Sequence, residues 1–176
     1  MNVKIASALI ACCIAAAGCG KARPAAPPAP LKNEPSGFGG IAWGTEAALL
    51  PPGMEEDRMS EFMQQTAGIR LFRKAKEDVD LGGAIPSKVQ YGFYKGRFYL
   101  AMAEFRGGGN FDKIAGALGE RHGPGLRVQE GKAVSWVGGK VDILLLRKGV
   151  LVCVYKPISE EKERDDREKA ERLIKG

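Results

Sequence analysis

Four cysteines, one histidine and a cluster of aromatic rings are the side chains that could do chemistry in this 176-residue chain. Cys12, Cys13 and Cys19 lie in or beside the apolar N-terminal run, while Cys153 stands alone inside Val150-Leu151-Val152-Cys153-Val154-Tyr155. A thiol attacks carbon or binds metal as the thiolate, and apolar surroundings disfavour that form. A single thiol cannot close an internal disulfide, so Cys153 is expected to be a small buried hydrophobe. His122 directly precedes Gly123-Pro124, at the end of an expected helix, where a partly charged imidazole complements the dipole. A histidine-based triad would need a nucleophile and an orienting acid beside it, and the sequence places neither. Gly107-Gly108-Gly109-Asn110 precedes a helix whose amides could hold an anion, but it lacks the Lys-Ser/Thr of a phosphate loop and reads as a plain loop. No HExxH, CxxC or calcium-loop pattern occurs, so neither a metal nor another cofactor is expected. Acids such as Asp142 and Glu104 would serve an enzyme only if the fold gathered them in a cleft with basic partners. The rings of Tyr91, Phe93, Tyr94, Phe98 and Tyr99, with Trp43 and Trp136, are numerous enough that some must face outward or under a second layer. Trp43, Tyr94, Tyr99 and Trp136 are the candidates for an aromatic groove that would take a peptide or an acyl ligand.

The elements that must position these groups follow from period and punctuation. Ile41 and Trp43, bracketed by glycines, suggest a short strand, and Thr45 can cap a short helix from Glu46 to Leu50 that Pro51-Pro52-Gly53 ends. Residues 54–68 are ambiguous, although Met59, Phe62 and Met63 have helical spacing. Strands are expected over Ile69–Ala75, Val89–Tyr94 and Arg97–Phe105, the last two joined by a Lys95-Gly96 turn. Simple alternation puts Val89, Tyr91 and Phe93 on one face, and sets Phe98, Leu100 and Met102 opposite Tyr99, Ala101 and Ala103. A helix from Phe111 to His122 has Asn110 as its N-cap, one apolar stripe through Phe111, Ile114, Ala115 and Leu118, and Gly123 as a left-handed stop. Three more strands are expected over Ala133–Val137, Lys140–Leu146 and Val150–Tyr155; being apolar on both faces, they read as central and covered on both sides. After Pro157 the chain is almost wholly charged. Ser159 can open a helix to Lys175 laced by acid-before-base pairs such as Glu168/Arg172 and Glu171/Lys175. Its apolar residues, Ile158, Ala170, Leu173 and Ile174, predict a solvated helix docked by its last turn, or else an arm that meets a partner. The fold class expected is therefore α+β: an antiparallel sheet of about six strands in two helix-then-three-strand halves, plus a charged C-terminal helix.

This element order is similar to the helix-then-three-strands unit of small envelope lipoproteins such as BamE, and it resembles the tandem units of the β-lactamase inhibitory protein. The likeness lies in order alone and carries over no site residues. A second resemblance sits at the N-terminus. Lys4 is followed by an apolar run from Ile5 to Ala17 and then by Gly18-Cys19-Gly20. A short cationic end, 7–15 apolar residues and small residues before a cut are the anatomy of a secretory signal, and the run is too short to cross a bilayer. With the cysteine it resembles a bacterial lipoprotein signal. The resemblance implies cleavage before Cys19, diacylglycerol on its sulfur and acylation of its amine. Ala16 departs from the Leu, Val or Ile that the family has three residues before the cysteine. Leu9-Ile10-Ala11-Cys12 fits that pattern better but leaves only Ile5–Ala11 as apolar core, so Cys19 is the attachment site favoured. By the family's sorting rule, Gly20 in place of aspartate implies the periplasmic face of the outer membrane.

The organisation expected is thus a signal peptide over 1–18, a lipid anchor and tether over 19–36, an α+β domain over 37–158 and a charged helix over 159–176. The tether, GKARPAAPPAPLKNEPS, carries five of the ten prolines; polyproline II at about 3.1 Å per residue would let it reach roughly 50 Å. The hydrophobic fraction of 44% is that of one globular domain. The net charge of +6 is no nucleic-acid signal in an exported protein, though it suits anionic head groups or polymeric phosphate. The function expected is a non-catalytic binding or assembly module, held to the membrane by its lipid and meeting an envelope protein partner. A carrier of an apolar or acyl ligand is the alternative, and an enzyme comes third.

Overall fold

The computed structural model describes residues 31–107 and 109–175. The expected signal peptide, Cys19 and most of the expected tether lie outside the described residues. The chain forms two β-sheets and three α-helices. A two-stranded sheet pairs β1 (Gly37–Phe38) with β2 (Ile41–Ala42). The main sheet is antiparallel and has eight strands: β3 (Met54–Glu56), β4 (Ile69–Lys74), β5 (Lys88–Tyr94), β6 (Arg97–Glu104), β7 (Leu126–Val128), β8 (Ala133–Val137), β9 (Val141–Leu146) and β10 (Val150–Tyr155). Its spatial order is β3-β4-β5-β6-β10-β9-β8-β7. Two four-stranded runs therefore meet through their last strands, β6 and β10.

The α+β class and the six longer strands agree with the sequence reading, but the count and the halves do not. Each edge carries an extra three-residue strand, β3 and β7, too short to show a period. The first half runs strand, α1 (Ser60–Ala67), three strands; the second runs α2 (Asn110–His122), then four strands. The β3 edge is blunted by charge, with Glu55 bonded to Arg73 at 3.1 Å and Glu56 to Arg70 at 3.0 Å. The expected helix after Thr45 is only a 3₁₀ turn, Ala47–Leu49. Glu46 is held extended by a bridge to Arg97, and Pro51 leaves no room for a second turn.

The β5–β6 hairpin turns on Lys95 and Gly96, both with positive φ (47° and 77°), the twist that a two-residue hairpin requires. Beyond it the register slips between Gly92 and Phe93: Phe93 faces Phe98, but Gly92 faces Leu100. Tyr99 is the extra residue of a bulge, which turns Tyr99 and Leu100 onto the same side. The expected alternation thus fails. Phe98, Ala101 and Ala103 share one face, and Tyr99, Leu100 and Met102 the other.

The first face is the main core. Tyr91, Phe93, Phe98, Trp136, Ile143, Leu145 and Leu151 form a continuous cluster, onto which α2 lays Phe111, Ile114 and Leu118. That stripe is the predicted one, but Asn110 is not the cap. It is the first helical residue, and its side-chain amide donates to the Arg106 carbonyl at 2.6 Å. Gly123 has φ 89° and ψ 176°, a positive-φ stop outside the left-handed helical well. The segment Leu31–Ser36, expected in the tether, belongs to this layer. Leu31 reaches the core, the Trp43 indole donates to the Pro35 carbonyl at 2.9 Å, and Glu34 accepts from the Lys140 amide at 2.8 Å.

The second face is covered over one half only. Met63 and Ala67 of α1 lie over Ile69 and Leu71, and α3 (Lys156–Lys175) starts directly after β10 and places Ile158 against Tyr94, Tyr99, Leu100 and Val154. α3 docks by its first turns: Arg97 meets Glu161 at 2.6 Å, and Lys95 and the Tyr94 hydroxyl each meet Asp165 at 2.6 Å. Its last turn stands free, with Leu173 77% and Ile174 85% exposed, the reverse of the docking expected from sequence. The cause is geometric. A helix leaving the end of the central strand β10 with no loop carries its first turns over the sheet and its end past it. No helix among the described residues is long and apolar enough to cross a membrane.

Candidate functional site

The four aromatic candidates are not brought together. Trp136 is buried in the main core, its indole donating to the Gly123 carbonyl at 2.9 Å. Tyr94 and Tyr99 lie on the other face, beneath α3, their rings edge to face at 6.5 Å. Burial first, and the hydrogen bond to Asp165 second, push the Tyr94 phenol up to about 12. Trp43 alone stays half-buried, stacked on Phe98 at 4.6 Å and parallel to Tyr155 at 6.2 Å. It edges a shallow depression of about 550 Å³ with Glu34, Lys140 and Tyr155. The aromatic side chains are thus divided between the core, the α3 interface and this depression.

The groups capable of nucleophilic or acid–base work are likewise held in structural contacts. Cys153 is buried in β10, paired in the ladder with Ala101 and Ile143, and burial pushes its thiol up to about 12. His122 is not the partly charged helix cap expected. It is 5% exposed, its Nδ1 faces the Asn33 carbonyl, and burial lowers its pKa despite that bond. Asp142 closes the β8–β9 turn, accepting from the Gly138 amide at 3.2 Å with Lys156 3.8 Å away; burial raises its pKa against that lysine. No cluster of three metal-ligating side chains occurs among the described residues.

A different place gathers charge. At the end of the sheet where β5 and β10 begin and β6 ends, a cleft of about 710 Å³ lies on the second face. Its lining includes five cations, Arg58, Arg73, Lys88, Arg106 and Lys148, against two carboxylates, Asp57 and Glu104. Met59, Phe105 and Val150 supply apolar wall. Asp57 is buried and stands 3.9 Å from Lys88; Arg73 is engaged by Glu55. Arg58, Arg106 and Lys148 are exposed, and none has an ion-pair partner among the described residues. Five positive groups around two negative ones make a field for an anion, and arginine's planar fork matches carboxylate and phosphate. Glu104 does sit with basic partners, whereas Asp142 is far along the sheet.

The ladder shows what adjoins this cleft. Lys88 pairs with Glu104, Glu104 with Val150, and Val150 with Leu146. The next row on the same face runs Gln90, Met102, Val152, Leu144, Ser135 and Leu126. Residues two apart on a strand share a face, so the cleft opens directly onto Met102, Leu144, Leu146 and Val152. All four are half-buried, Met102 and Val152 against the cluster beneath α3 and Leu144 and Leu146 clear of it, and Leu126 and Val137 beside them are each 40% exposed. Of the three strands expected to be covered on both faces, β10 is so covered where α3 crosses it, and β8 and β9 are covered on one. The helices reach across β4, β6 and β10, and the apolar back of β8 and β9 stays open.

Nothing in the sequence flags the cleft as a motif, because its cations are spread from position 58 to 148 and are joined only by register. Comparison of the chain with family models, with curated proteins and with solved structures gives no match.

Proposed function

We propose that this protein is a lipid-anchored, non-catalytic binding or assembly module of the bacterial envelope, tethered through Cys19 at the periplasmic face of the outer membrane. The observation that carries the reading is the second sheet face. α1 and α3 cover β4, β6 and β10, while Leu126, Val137, Leu144 and Leu146 on β7, β8 and β9 leave an apolar, open surface. Apolar surface of this kind on an otherwise charged domain marks a place where something docks. The same reading is supported by the buried, structural settings of Cys153 and His122, which leave them unsuited to nucleophilic or acid–base work.

Two measurements test it together. Cys19→Ala should lose palmitate labelling and move from the membrane to the soluble envelope fraction, because the acyl chains supply the membrane affinity. A photoreactive residue at Leu144 should form adducts in cells, whereas one at exposed Lys169 should not. Retained palmitate in Cys19→Ala, or adducts equal at the two positions, would remove the proposal.

A further inference from the structure

We infer that the cationic cleft and the apolar strip beside it form one amphiphile site, which takes an anionic phospholipid with its phosphate in the cleft and an acyl chain along the strip. The inference rests on the reading of the domain as a membrane-held binding module and names the ligand of its open face. The argument is one of juxtaposition. Arg58, Arg106 and Lys148, which have no ion-pair partner among the described residues, bring charge to the cleft mouth. Val150 lines that mouth and is also the first residue of the strip, facing Leu146 across the ladder. Val152 and Leu144 follow one row on, so charge gives way to hydrocarbon within two residues of strand, about 7 Å. A protein partner would need an acidic segment adjoining an aliphatic one in this register. A phospholipid has that order of chemistry in a single molecule, and a neutral lipid would leave the cations uncompensated. At about 710 Å³ the cleft is ample for a phosphoryl headgroup.

The test uses the full lipid-anchored chain, purified in mild detergent and titrated with short-chain phosphatidylglycerol, phosphatidylcholine of equal chain length, or inorganic phosphate. Adducts are read by native mass spectrometry and affinity by thermal shift. Phosphatidylglycerol should bind at least about tenfold tighter than phosphatidylcholine, a difference that salt reduces. The double variant Arg106→Glu, Lys148→Glu should weaken phosphatidylglycerol about tenfold and leave phosphatidylcholine unchanged. Both positions are exposed, so the fold should persist, which the melting temperature without ligand checks. Arg106→Lys should retain binding. Equal affinity for the two lipids would overturn the inference, since the cations would then do nothing. So would inorganic phosphate binding as tightly as phosphatidylglycerol, because the strip would then contribute nothing. If phosphatidylglycerol fails to bind while a photoreactive residue at Leu144 still forms adducts with a protein in cells, the lipid falls and the binding-module reading stands. If both fail, both fall.

Discussion

The Cys153 sulfur lies within the main core, with Ala101 on one side of its strand and Ile143 on the other. A thiolate there would be a charge without a partner, and burial accordingly pushes the pKa up to about 12. At neutral pH the group is a thiol, a weak nucleophile and a weak metal ligand. Thiol reagents should therefore label Cys153 slowly in the folded protein and at the rate of a free cysteine in denaturant, followed by mass spectrometry. Cys153→Ser should cost about 1–3 kcal/mol in urea unfolding by burying a hydroxyl among aliphatic neighbours. Fast labelling of the native protein would show that the site opens. The cations of the cleft present the opposite case at the same scale. Arg106 and Lys148 are ordinary exposed side chains, and what distinguishes them is the place to which the register of β6 and β10 delivers them.

At the scale of elements, α3 docks through one buried apolar residue, Ile158, and a set of ion pairs around it. Only Ile158 and Lys162 are buried along it, and the Lys162 ammonium sits 5.7 Å from the centre of the Tyr94 ring. Glu161 and Asp165 add to the docking: the hydrogen bonds from Arg97 and then Lys95 hold Glu161 below the usual carboxylate range, and those from Lys95 and then Tyr94 do the same for Asp165. A depressed carboxylate contributes stability above its unfolded pKa, near 4, and that stability is lost as pH falls through the lower folded value. Docking of α3 should thus persist at neutral pH and loosen on acidification below about pH 4. Hydrogen exchange in Ile158–Asp165 should rise severalfold over that range, and Asp165→Ala should show the same rise already at neutral pH. Exchange indifferent to both would mean that Ile158 alone suffices. The sequence shows that this helix exists and how long it is, because its four-residue charge spacing is local. It hides which end docks, because that depends on β10 running into the helix with no loop. The bulge at Tyr99 was hidden for a similar reason. A period-2 reading of Phe98–Ala103 has no signal for one extra residue, and the misplaced face followed from it. The edge strands β3 and β7, three residues each, carry too few positions for any period, whereas the α2 stripe, the hairpin at Lys95-Gly96 and the core strands β8 to β10 were all legible. The cleft was not, since Lys88, Glu104 and Val150 are neighbours only after three strands have paired.

For the molecule as a whole, the segment that leads in from the N-terminus is also a strap. Leu31 enters the core, the Lys32 amide donates to the His122 carbonyl at 3.1 Å, and the Asn33 carbonyl meets the His122 ring. The next residue, Glu34, caps the Gly139 and Lys140 amides of the β8–β9 turn. The strap thereby joins the end of α2 to a hairpin of the second half of the sheet. His122 gives the strap a pH dependence. Burial lowers its pKa below the unfolded value of about 6.5, and the bond to Asn33 offsets this only in part. The folded protein therefore binds less proton there than the unfolded chain. The stability contributed is fully present above about pH 6.5 and is lost as pH falls through the folded value. The urea midpoint should fall between about pH 7.5 and about pH 5.5. In His122→Gln, which can still donate toward Asn33, that fall should shrink, while the midpoint at the higher pH drops modestly. Glu34→Ala should lower the midpoint at both pH values alike, because it frees the hairpin turn and leaves the imidazole where it is. If His122→Gln keeps the whole pH dependence of the wild type, the proton acts elsewhere and the strap is a passive contact.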